Sequence, residues 1–417
     1  MQQTFATIIT IGDELLIGQV TDTNSAFIAR QLSTIGVSVK HRLAVGDVWE
    51  DIWQALNQER KHASIILITG GLGPTADDIT KPLLCEYFGG KLVVDAGAME
   101  NVEAIFKRLD RPMIDRNRKQ AEVPDVCTVI QNNRGTAPGM LFEKNGVIFI
   151  SMPGVPHEMQ GMIDDYVLPY LKQAKTLPAI IHKTLLTAGV GESFLADLIQ
   201  AWEEALPKNI KLAYLPNYGM VRLRLSAIGA DRELLEKAVT TEFEKLQALV
   251  KYYLVTIEDE PMEKVVAKLL LQRNQTMATA ESCTGGYIAH LITAMAGSSA
   301  YYNGSIISYA YQAKEDMLGV AHGLLLSDGA VSEAVVKQMV NGALHQFKTT
   351  YAIAVSGIMG PDGATENKPV GTVWVAAGNS QSTIAQKFHF RFDRKRNIEL
   401  TATNALNLLR KFIVEAV

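Results

Sequence analysis

Long apolar runs in the first third of the chain alternate with amphipathic stretches. Residues 6–11, 64–69 and 146–151 are almost continuously apolar, which is typical of strands buried on both faces. Residues 24–32 and 49–60 lie between the first two runs and have the apolar spacing of helices. This alternation predicts a parallel sheet with both faces covered. Each apolar run leads into a glycine-rich turn, and ligands of such sheets bind beyond the carboxyl ends of the strands.

The middle of the chain has the shorter, half-apolar strands of a small α+β module. Val221, Leu223 and Leu225 alternate with polar residues, as in a strand with one buried face. A helix is predicted over residues 231–250, and the order βαββαβ indicates a split βαβ module. Because this module carries no obvious catalytic cluster, we interpret it as a spacer or a dimerisation unit.

The last third returns to the α/β pattern. Strands are predicted at residues 275–280, 305–310 and 351–355, and a helix is predicted from Tyr287 because apolar residues recur there with a 3.6-residue period. The stretch 257–261 is a plausible linker to this part of the chain. The predicted fold class is therefore α/β at both ends, with a small α+β module between them.

Length and composition limit the class of protein. The 417 residues allow two or three domains, which we predict at residues 1–172, 173–257 and 258–417. With 47% hydrophobic residues, 20% charged residues and a net charge of −4, nothing draws the chain to nucleic acid or to an anionic membrane. No leader is visible, and no apolar run approaches the ~20 residues of a membrane span. The 3 cysteines are widely spaced, so we expect a soluble, cytoplasmic protein without disulfides.

The turn after Thr69 combines glycines with carboxylates. Gly70, Gly71 and Gly73 would let backbone amides approach an anion, whereas Asp77 and Asp78 would repel a bare phosphate. The combination makes sense if a divalent cation bridges the carboxylates to a diphosphate. The alternative is that one of these aspartates only caps the next helix. The residues alone therefore predict a phosphate-containing ligand with a metal ion.

A second turn lies in the C-terminal third, between the strand predicted to end at Ala280 and the helix predicted from Tyr287. It carries two hydroxyls, those of Ser282 and Thr284, and the thiol of Cys283. Ser282 needs a base to act as a nucleophile, and no histidine has an obvious partner position. Lys314 follows another predicted strand, and a partly desolvated lysine activates serine in Ser–Lys variants of the catalytic triad. Ser356, after the next strand, would relay a proton or hold the substrate. The alternatives are that Ser282 and Ser356 are only caps and that Lys314 is a surface lysine.

The N-terminal motifs resemble those of the CinA family, whose N-terminal domain is related to molybdopterin-binding proteins. The resemblance rests on the segments Gly12-Asp13-Glu14, Thr69-Gly70-Gly71-Leu72-Gly73-Pro74, Asn117-Arg118-Lys119, Gly135-Thr136-Ala137-Pro138-Gly139 and Pro153-Gly154-Val155-Pro156. It implies a three-layer molybdopterin-binding-like fold and metal-dependent hydrolysis of ADP-ribose to AMP and ribose 5-phosphate. The expected ligands of the divalent metal are Asp77, Asp78, Glu14 and Asp22. The expected substrate-binding residues are Gly70, Gly71, Gly73, Thr75, Asn24, Gly135, Thr136, Pro153 and Gly154. Asp13 stands where threonine is expected.

The C-terminal motifs resemble the CinA-family domain that deamidates nicotinamide mononucleotide. They are Ala280-Glu281-Ser282-Cys283-Thr284-Gly285-Gly286, Tyr309 with Ala313-Lys314, Ser356-Gly357-Ile358 with Gly360-Pro361-Asp362-Gly363, and Asp393-Arg394. The resemblance implies hydrolysis of the carboxamide to nicotinic acid mononucleotide and ammonia, without a cofactor, in pyridine nucleotide salvage. Ala310-Tyr311 departs from the Ser-Asn expected there, and Ser356 replaces threonine.

The same resemblance implies roles for the individual residues of the amidase site. Ser282 would be the nucleophile and Lys314 its base, with Tyr309 and Ser356 supporting the proton relay. The substrate-binding residues would be Cys283, Thr284, Gly285, Gly286, Gly357, Gly360 and Arg394. The amides of Cys283 to Gly286, at the start of the predicted helix, would serve as oxyanion and anchoring donors. Arg394 would bind the substrate phosphate, and Cys283 is a competing nucleophile because thiols need less activation.

Two functions are therefore expected from the sequence. The first is a bifunctional hydrolase of pyridine-nucleotide metabolites, with nicotinamide mononucleotide and ADP-ribose as small-molecule partners. The second is a non-catalytic nucleotide- or molybdopterin-binding protein with a regulatory role in competence or DNA damage. In either case we expect a homodimer that binds neither nucleic acid nor a membrane.

Overall fold

The computed structural model describes residues 4–75, 78–217 and 219–415. In its N-terminal part the strands are β1 Phe5–Ile11, β2 Ser38–Val45, β3 Ile65–Thr69, β4 Leu92–Val94, β5 Glu122–Pro124, β6 Thr128–Ile130, β7 Gly139–Lys144 and β8 Val147–Met152. The helices are α1 Asp13–Leu16, α2 Thr23–Thr34, α3 Trp49–Glu59, α4 Thr80–Phe88, α5 Ala96–Arg108, α6 Asp115–Arg118, α7 Pro156–Met162 and α8 Leu168–Ala174. The elements therefore alternate as in an α/β domain.

The central sheet of this part has the strand order β2-β1-β3-β8-β7-β6. Strands β2, β1, β3 and β8 are parallel, and β7 and β6 are added antiparallel at one edge. Along β3, Ile65 and Leu67 pack into one apolar cluster, whereas Ile66 and Ile68 pack into another. The first cluster includes side chains of α2 and α7, and the second includes those of α3 and α4. Helices thus cover both faces, which explains the continuous apolar runs in the sequence.

The middle part of the chain contains β9 Ala179–Ala188, α9 Glu192–Glu204, β10 Ile210–Asn217, β11 Met220–Gly229, α10 Arg232–Leu249 and β12 Leu254–Thr256. Its sheet has the order β10-β11-β9-β12, with β12 antiparallel to β9. The predicted alternation in β11 is present, because Val221, Leu223 and Leu225 are buried and the residues between them are only half-buried. The element order βαββαβ is as predicted.

The C-terminal strands are β13 Met277–Glu281, β14 Tyr302–Ile307, β15 Tyr351–Gly357, β16 Thr372–Gly378 and β17 Thr383–His389. The helices are α11 Met262–Gln272, α12 Tyr287–Thr293, α13 Tyr311–Leu318, α14 His322–Ser327, α15 Glu333–Phe347 and α16 Arg394–Glu415. The sheet order is β14-β13-β15-β16-β17, with the first three strands parallel and the last two antiparallel. Side chains of α11, α12 and α16 fill the core on one face, and those of α15 fill the other.

One predicted element ends at the wrong residue. The second C-terminal strand is predicted to reach residue 310, whereas β14 ends at Ile307 and α13 begins at Tyr311. Residues 308–310 form the turn between them, because the carbonyls of Ser308 and Tyr309 are bonded to a lysine side chain instead of a neighbouring strand. This turn belongs to the candidate active site, because it supplies two of the contacts of Lys314.

The chain divides into two compact units. One comprises Met1–Ile181 with Ala227–Lys237, and the other comprises His182–Ser226 with Ala238–Val417. The boundaries at residues 172 and 257 stay a prediction. Among the described residues, no helix has both the length and the apolar character needed to cross a membrane.

Candidate active site

Ser282 follows β13 directly and begins the turn that leads to α12. The last residue pairs of β13 join Glu281 to Ile307 on one side and to Val355 on the other. The amide of Ser282 donates a hydrogen bond of 3.1 Å to the carbonyl of Val355, so the backbone ladder continues into the turn. The Ser282 side chain is buried at this edge, with 8% of the residue exposed. Sheet geometry thereby fixes the position of the candidate nucleophile.

Lys314, on the first turn of α13, contacts Ser282. Its Nζ lies 3.0 Å from Ser282 Oγ, 2.6 Å from the carbonyl oxygen of Ser308 and 3.2 Å from that of Tyr309. Only 1% of the residue is exposed, and burial lowers the pKa of Lys314 to about 8. A substantial fraction of this amine is therefore neutral near pH 8.

The three contacts of Lys314 match the needs of a neutral amine. A neutral amine has two N–H donors and one lone pair, whereas an ammonium has three donors. The two backbone carbonyls accept the two N–H groups and leave the lone pair for the hydroxyl proton of Ser282. The same contacts serve the ammonium after it has taken that proton, so the site accommodates both protonation states.

Ser308 and Ser356 occupy positions equivalent to Ser282 on the two neighbouring strands. Ser308 follows the last registered residue of β14, as Ser282 follows Glu281 of β13, and Ser356 follows Val355 of β15. Ser308 is fully buried and Ser356 is 1% exposed. Within the described part of the chain, the Ser308 hydroxyl has no hydrogen-bond partner. Ser308 is not among the predicted site residues, because its position in the middle of a predicted strand gave no sign that it lies at a strand end.

Glu281 is a second residue without a predicted role, although it directly precedes Ser282 in the motif Ala280–Gly286. It is fully buried, and its carboxylate accepts hydrogen bonds from Thr284 Oγ1 (2.7 Å) and from the amides of Gly286 (3.1 Å), Ile288 (3.0 Å) and Ala289 (2.8 Å). The helix start was expected to offer its free amides to an anion. A carboxylate of the same chain occupies several of them instead.

Cys283 is chemically the poorer nucleophile of the turn. Its side chain packs into the apolar core, and burial raises the pKa of the thiol to about 12. The thiolate is the reactive form of cysteine, and it is scarce at neutral pH under these conditions. The environment therefore favours Ser282 with its neighbouring amine.

Arg394, at the start of α16, connects two of the predicted site segments. Its Nη1 donates to the carbonyl of Gly360 at 2.8 Å, and its Nη2 donates to Tyr309 Oη at 3.3 Å. Tyr309 thus contacts Lys314 through its carbonyl and Arg394 through its hydroxyl. Gly357, the last residue of β15, immediately follows Ser356.

A cleft of about 640 Å³ lies beside this turn. It is lined by Thr284, Gly285, Gly286, Tyr287, His290, Arg394, Lys395, Ile398 and Glu399. Ser282 is not among the lining residues. Gly286 has a φ of +96°, and a Cβ at this position would approach Ile307 Cδ1 to 2.9 Å, so glycine is required for the turn.

The N-terminal unit has its own cleft, of about 490 Å³, where the parallel strands end. The predicted residues that line it are Glu14, Gly70, Gly71, Gly73, Asp78, Thr136, Pro153 and Gly154. Asp47, Asn117, Gln120 and Glu158 also line it and were not assigned from the sequence. Gly70 has a φ of +113°, and a Cβ there would lie 2.1 Å from the carbonyl oxygen of Ile11. The glycine therefore allows strand ends to approach closely.

Four further predicted residues lie outside this cleft. Asn24 and Asp22 line a neighbouring cavity of about 120 Å³, and Asn24 Nδ2 donates to the carbonyl of Gly154 at 2.7 Å. The Thr75 amide donates to Asp78 Oδ2 at 2.8 Å, and the carbonyl of Gly135 accepts from Asn101 at 2.9 Å. Thr75 and Gly135 line neither cavity.

The predicted metal ligands do not form a metal site in the described residues. Asp78 accepts hydrogen bonds from the amides of Gly73 (2.7 Å) and Thr75 (2.8 Å), so it stabilises its own turn. Asp22 caps α2 by accepting from the amide of Ser25 at 2.9 Å. Asp77 lies outside the described residues. Within the described ranges, no three His, Cys, Asp or Glu side chains are grouped to hold an ion, and because Asp77 lies outside those ranges the divalent cation stays a prediction.

Comparison with family models divides the chain into three matches. Residues 7–173 match the family described as "Probable molybdopterin binding domain", residues 182–255 match the "Damage-inducible protein CinA KH domain", and residues 259–413 match the "CinA C-terminal domain".

Full-length relatives match over nearly their whole length. The chain is 44% identical to a CinA-like protein of Cytophaga hutchinsonii over 411 residues, covering 99% of this chain and 98% of that protein. It is 45% identical to a CinA-like protein of Flavobacterium psychrophilum over 412 residues, covering 98% and 99%. A solved structure of a competence-damaged protein (CinA) superfamily protein from Klebsiella pneumoniae is 31% identical, covers 37% of this chain and 99% of that chain, and has a TM-score of 0.36.

Proposed function

Because the chain belongs to the CinA family, we propose that its C-terminal part is a serine-dependent amidohydrolase acting on nicotinamide mononucleotide. The products are nicotinic acid mononucleotide and ammonia. The observation that carries the proposal is the 3.0 Å contact between Lys314 Nζ and Ser282 Oγ, with two backbone carbonyls bonded to the same amine. A binding protein has no need of a buried lysine against a buried serine, since burial of an amine is costly.

In the first half of the reaction, neutral Lys314 takes the hydroxyl proton of Ser282. Oγ then attacks the carboxamide carbon, and the carbonyl oxygen becomes an oxyanion. The Lys314 ammonium returns the proton to the departing nitrogen, the C–N bond breaks and ammonia leaves. The product of this half-reaction is an acyl ester on Ser282.

In the second half of the reaction, water hydrolyses the acyl ester on Ser282. Lys314 is neutral again after ammonia has taken the proton, so it can deprotonate a water that attacks the ester carbon. The bond between this carbon and Ser282 Oγ breaks, and the ammonium returns its proton to Oγ. Nicotinic acid mononucleotide leaves and the starting state is restored.

Arg394 is proposed to bind the phosphate of the substrate. Its guanidinium lines the 640 Å³ cleft and is held at its position by Gly360 and Tyr309. A guanidinium in fixed orientation suits a phosphate, because its planar N–H groups match the phosphate oxygens. In this proposal Tyr309 orients Arg394 through its hydroxyl and Lys314 through its carbonyl.

Ammonia release from nicotinamide mononucleotide tests the amidase proposal. Wild type is compared with Ser282→Ala, and Ser327→Ala, an exposed serine of α14, is the matched control. We expect the Ser282 variant to lose activity by at least about 10³-fold, because the covalent route is removed. Equal rates in wild type and Ser282→Ala would refute the proposal.

The N-terminal cleft is the second candidate site. We propose that it binds ADP-ribose and hydrolyses it to AMP and ribose 5-phosphate. The supporting observation is the 490 Å³ cleft at the carboxyl end of a parallel sheet, where Gly70, Gly71 and Gly154 expose backbone to a ligand. The proposal includes the divalent cation expected from the sequence, which Glu14 and Asp78 in the lining of the cleft would hold, and which would polarise the diphosphate.

AMP formation from ADP-ribose, measured with and without Mg²⁺, tests this second proposal. In Asp78→Ala the amides of Gly73 and Thr75 lose their acceptor, so we expect the turn to shift and AMP formation to fall. A yield that neither Mg²⁺ nor this substitution changes would contradict hydrolysis at this cleft. Calorimetric titration with ADP-ribose would then test the non-catalytic alternative, binding without turnover.

The remaining expectations concern assembly and location. We propose that the protein acts in the cytoplasm as a homodimer, with the middle module as the dimerisation unit. Sedimentation equilibrium of the full chain would give twice the mass of 45.6 kDa if it dimerises. A monomeric mass across the concentration range would contradict the proposal.

A further inference from the structure

The Glu281 side chain accepts hydrogen bonds from the first amides of α12, a task that a serine or aspartate at the N-cap performs in most helices. The residue at the N-cap position of α12 is Gly286, which has no side chain to accept a hydrogen bond. The amides of the first turn are instead bonded to Glu281, which comes from the end of β13 and is fully buried. A serine or aspartate cap stabilises a helix without burying a charge, whereas burial of a carboxylate is costly unless its hydrogen bonds are complete. Helix stability alone therefore does not explain this arrangement.

The carboxylate is held from two sides. Glu281 Oε2 accepts from Thr284 Oγ1 and from the amides of Gly286 and Ile288, and Oε1 accepts from the amide of Ala289. From the strand side, Oε1 also accepts from Thr279 Oγ1 at 3.3 Å and Ser305 Oγ at 3.5 Å. Both oxygens are thus engaged, and the turn after Ser282 is tied to the sheet.

These bonds determine which amides of the turn are left for a ligand. The amide of Gly285 donates to the carbonyl of Ser282 at 3.2 Å, and that of Gly286 donates to Glu281. Among the described residues, no hydrogen bond from the amide of Cys283 or Thr284 to another residue is found. Both amides belong to the residues that directly follow the nucleophile.

We propose that Glu281 is a positioning residue for the amidase reaction, one that holds the turn so that the amides of Cys283 and Thr284 bind the oxyanion. The inference rests on the proposed function, because it narrows the oxyanion donors of that same reaction from the four amides expected from the sequence to two. It also excludes the start of α12 as the phosphate site, since Glu281 occupies its amides. The phosphate of the substrate is then left to Arg394.

The test replaces Glu281 by Gln in the full-length protein and measures two properties. The first is kcat and KM for nicotinamide mononucleotide. The second is the rate at which a fluorophosphonate labels Ser282, because the phosphoryl oxygen of the adduct needs the same donors but no nicotinamide recognition. An amide side chain presents N–H groups to backbone N–H groups, so Glu281→Gln loses acceptors without losing volume.

We expect Glu281→Gln to lower kcat and the labelling rate about 10- to 100-fold, because small displacements of oxyanion donors are costly, while KM stays within about threefold. Glu281→Asp keeps the carboxylate and should recover part of both rates. Glu333→Gln is the matched control, since it makes the same chemical change at an exposed glutamate of α15 that pairs with Lys337 at the surface, and it should change kcat less than about twofold.

The outcomes separate this inference from the proposed function. If Glu281→Gln folds, as judged by its thermal unfolding, and kcat and labelling are unchanged, the positioning role is refuted. A raised KM with unchanged kcat would refute it as well. If wild type does not deamidate nicotinamide mononucleotide but labelling of Ser282 still depends on Glu281, the substrate is wrong and the positioning role stands. If Glu281→Gln does not fold, Glu281→Asp decides, because its shorter side chain should lower both rates about threefold, less than the loss expected of Glu281→Gln. Unchanged rates in a folded Glu281→Asp would then refute the positioning role.

Discussion

Lys314 shows how burial gives an amine the pKa that its proposed role as a base requires. Burial lowers the pKa of Lys314 to about 8, and the electrostatic effect of the nearby Cys283 thiol, which raises this pKa, offsets the lowering only in part. The amine contacts two carbonyls and a hydroxyl, so it can lose and regain a proton without new partners. The same residue on an exposed helix face would be charged at neutral pH and could not act as a base.

The pH dependence of the proposed amidase reaction follows from this pKa. The active form of Lys314 is the neutral amine, so kcat/KM should rise about tenfold per pH unit below the pKa of about 8 and become constant above it. The profile should be measured from ammonia release with a buffer series of constant ionic strength. A rate that falls as the pH rises through 8 would mean that the protonated lysine is the active form.

At the scale of elements, the position of α13 depends on a small residue of α15. A Cβ on Gly342 of α15 would lie 2.1 Å from the carbonyl oxygen of Leu318, the last residue of α13. The absence of a side chain at this contact lets the two helices approach closely. Since α13 carries Lys314, the helix contact and the distance to Ser282 are coupled.

Gly342→Ala should therefore weaken both stability and catalysis. Overpacking of this kind costs about 1–3 kcal/mol in the free energy of unfolding, and a shifted Lys314 should lower kcat. Gly323→Ala in α14 is the matched control because a Cβ there meets nothing within 4 Å. Denaturant unfolding and ammonia release measure the two effects. An equally stable and active Gly342→Ala would show that the helices do not need this contact.

A second element, α2, tests what Asp22 does. Its carboxylate accepts a hydrogen bond from the amide of Ser25, so Asp22→Ala should lower the free energy of unfolding by about 1 kcal/mol. Asp22→Asn should recover most of the loss, because asparagine is also a good cap. If both variants are as stable as wild type but bind Mg²⁺ more weakly than wild type, Asp22 is a metal ligand and its capping role is secondary.

At the scale of the whole molecule, the two candidate sites are built from separate units of the chain. Residues 11–158 contribute all the residues that line the N-terminal cleft, and these belong to the first unit. Ser282, Lys314 and Arg394 belong to the second unit. Each site therefore has its own supporting core, and damage to one should not unfold the other.

We expect that a substitution in one site changes the activity of that site and leaves the other site unaffected. Ser282→Ala should abolish ammonia release and leave ADP-ribose binding unchanged. Asp78→Ala should weaken ADP-ribose binding and leave ammonia release unchanged. Both are measured on the full-length protein, with calorimetric titration for ADP-ribose. If either substitution changed both readouts more than about threefold, the sites would be coupled by a free energy above about 0.6 kcal/mol.

The sequence by itself determined the α/β class, the element order of the middle module and the strand ends at which chemistry was expected. Periodicity carries this information because a strand buried on both faces must be apolar throughout, whereas a surface helix must be apolar on one side only. Motif resemblance identified the family and singled out Ser282 and Lys314.

Only the tertiary structure decided what each side chain contacts. It brought Lys314 to Ser282 across a separation of 32 residues, turned Asp78 and Asp22 toward their own backbone, and revealed that Glu281 takes the amides of α12. The physical reason is that a hydrogen bond depends on positions within a few tenths of an ångström, and those positions are set by the packing of distant elements. Local sequence can place a residue at the end of a strand, but it does not show which partner the fold brings to it.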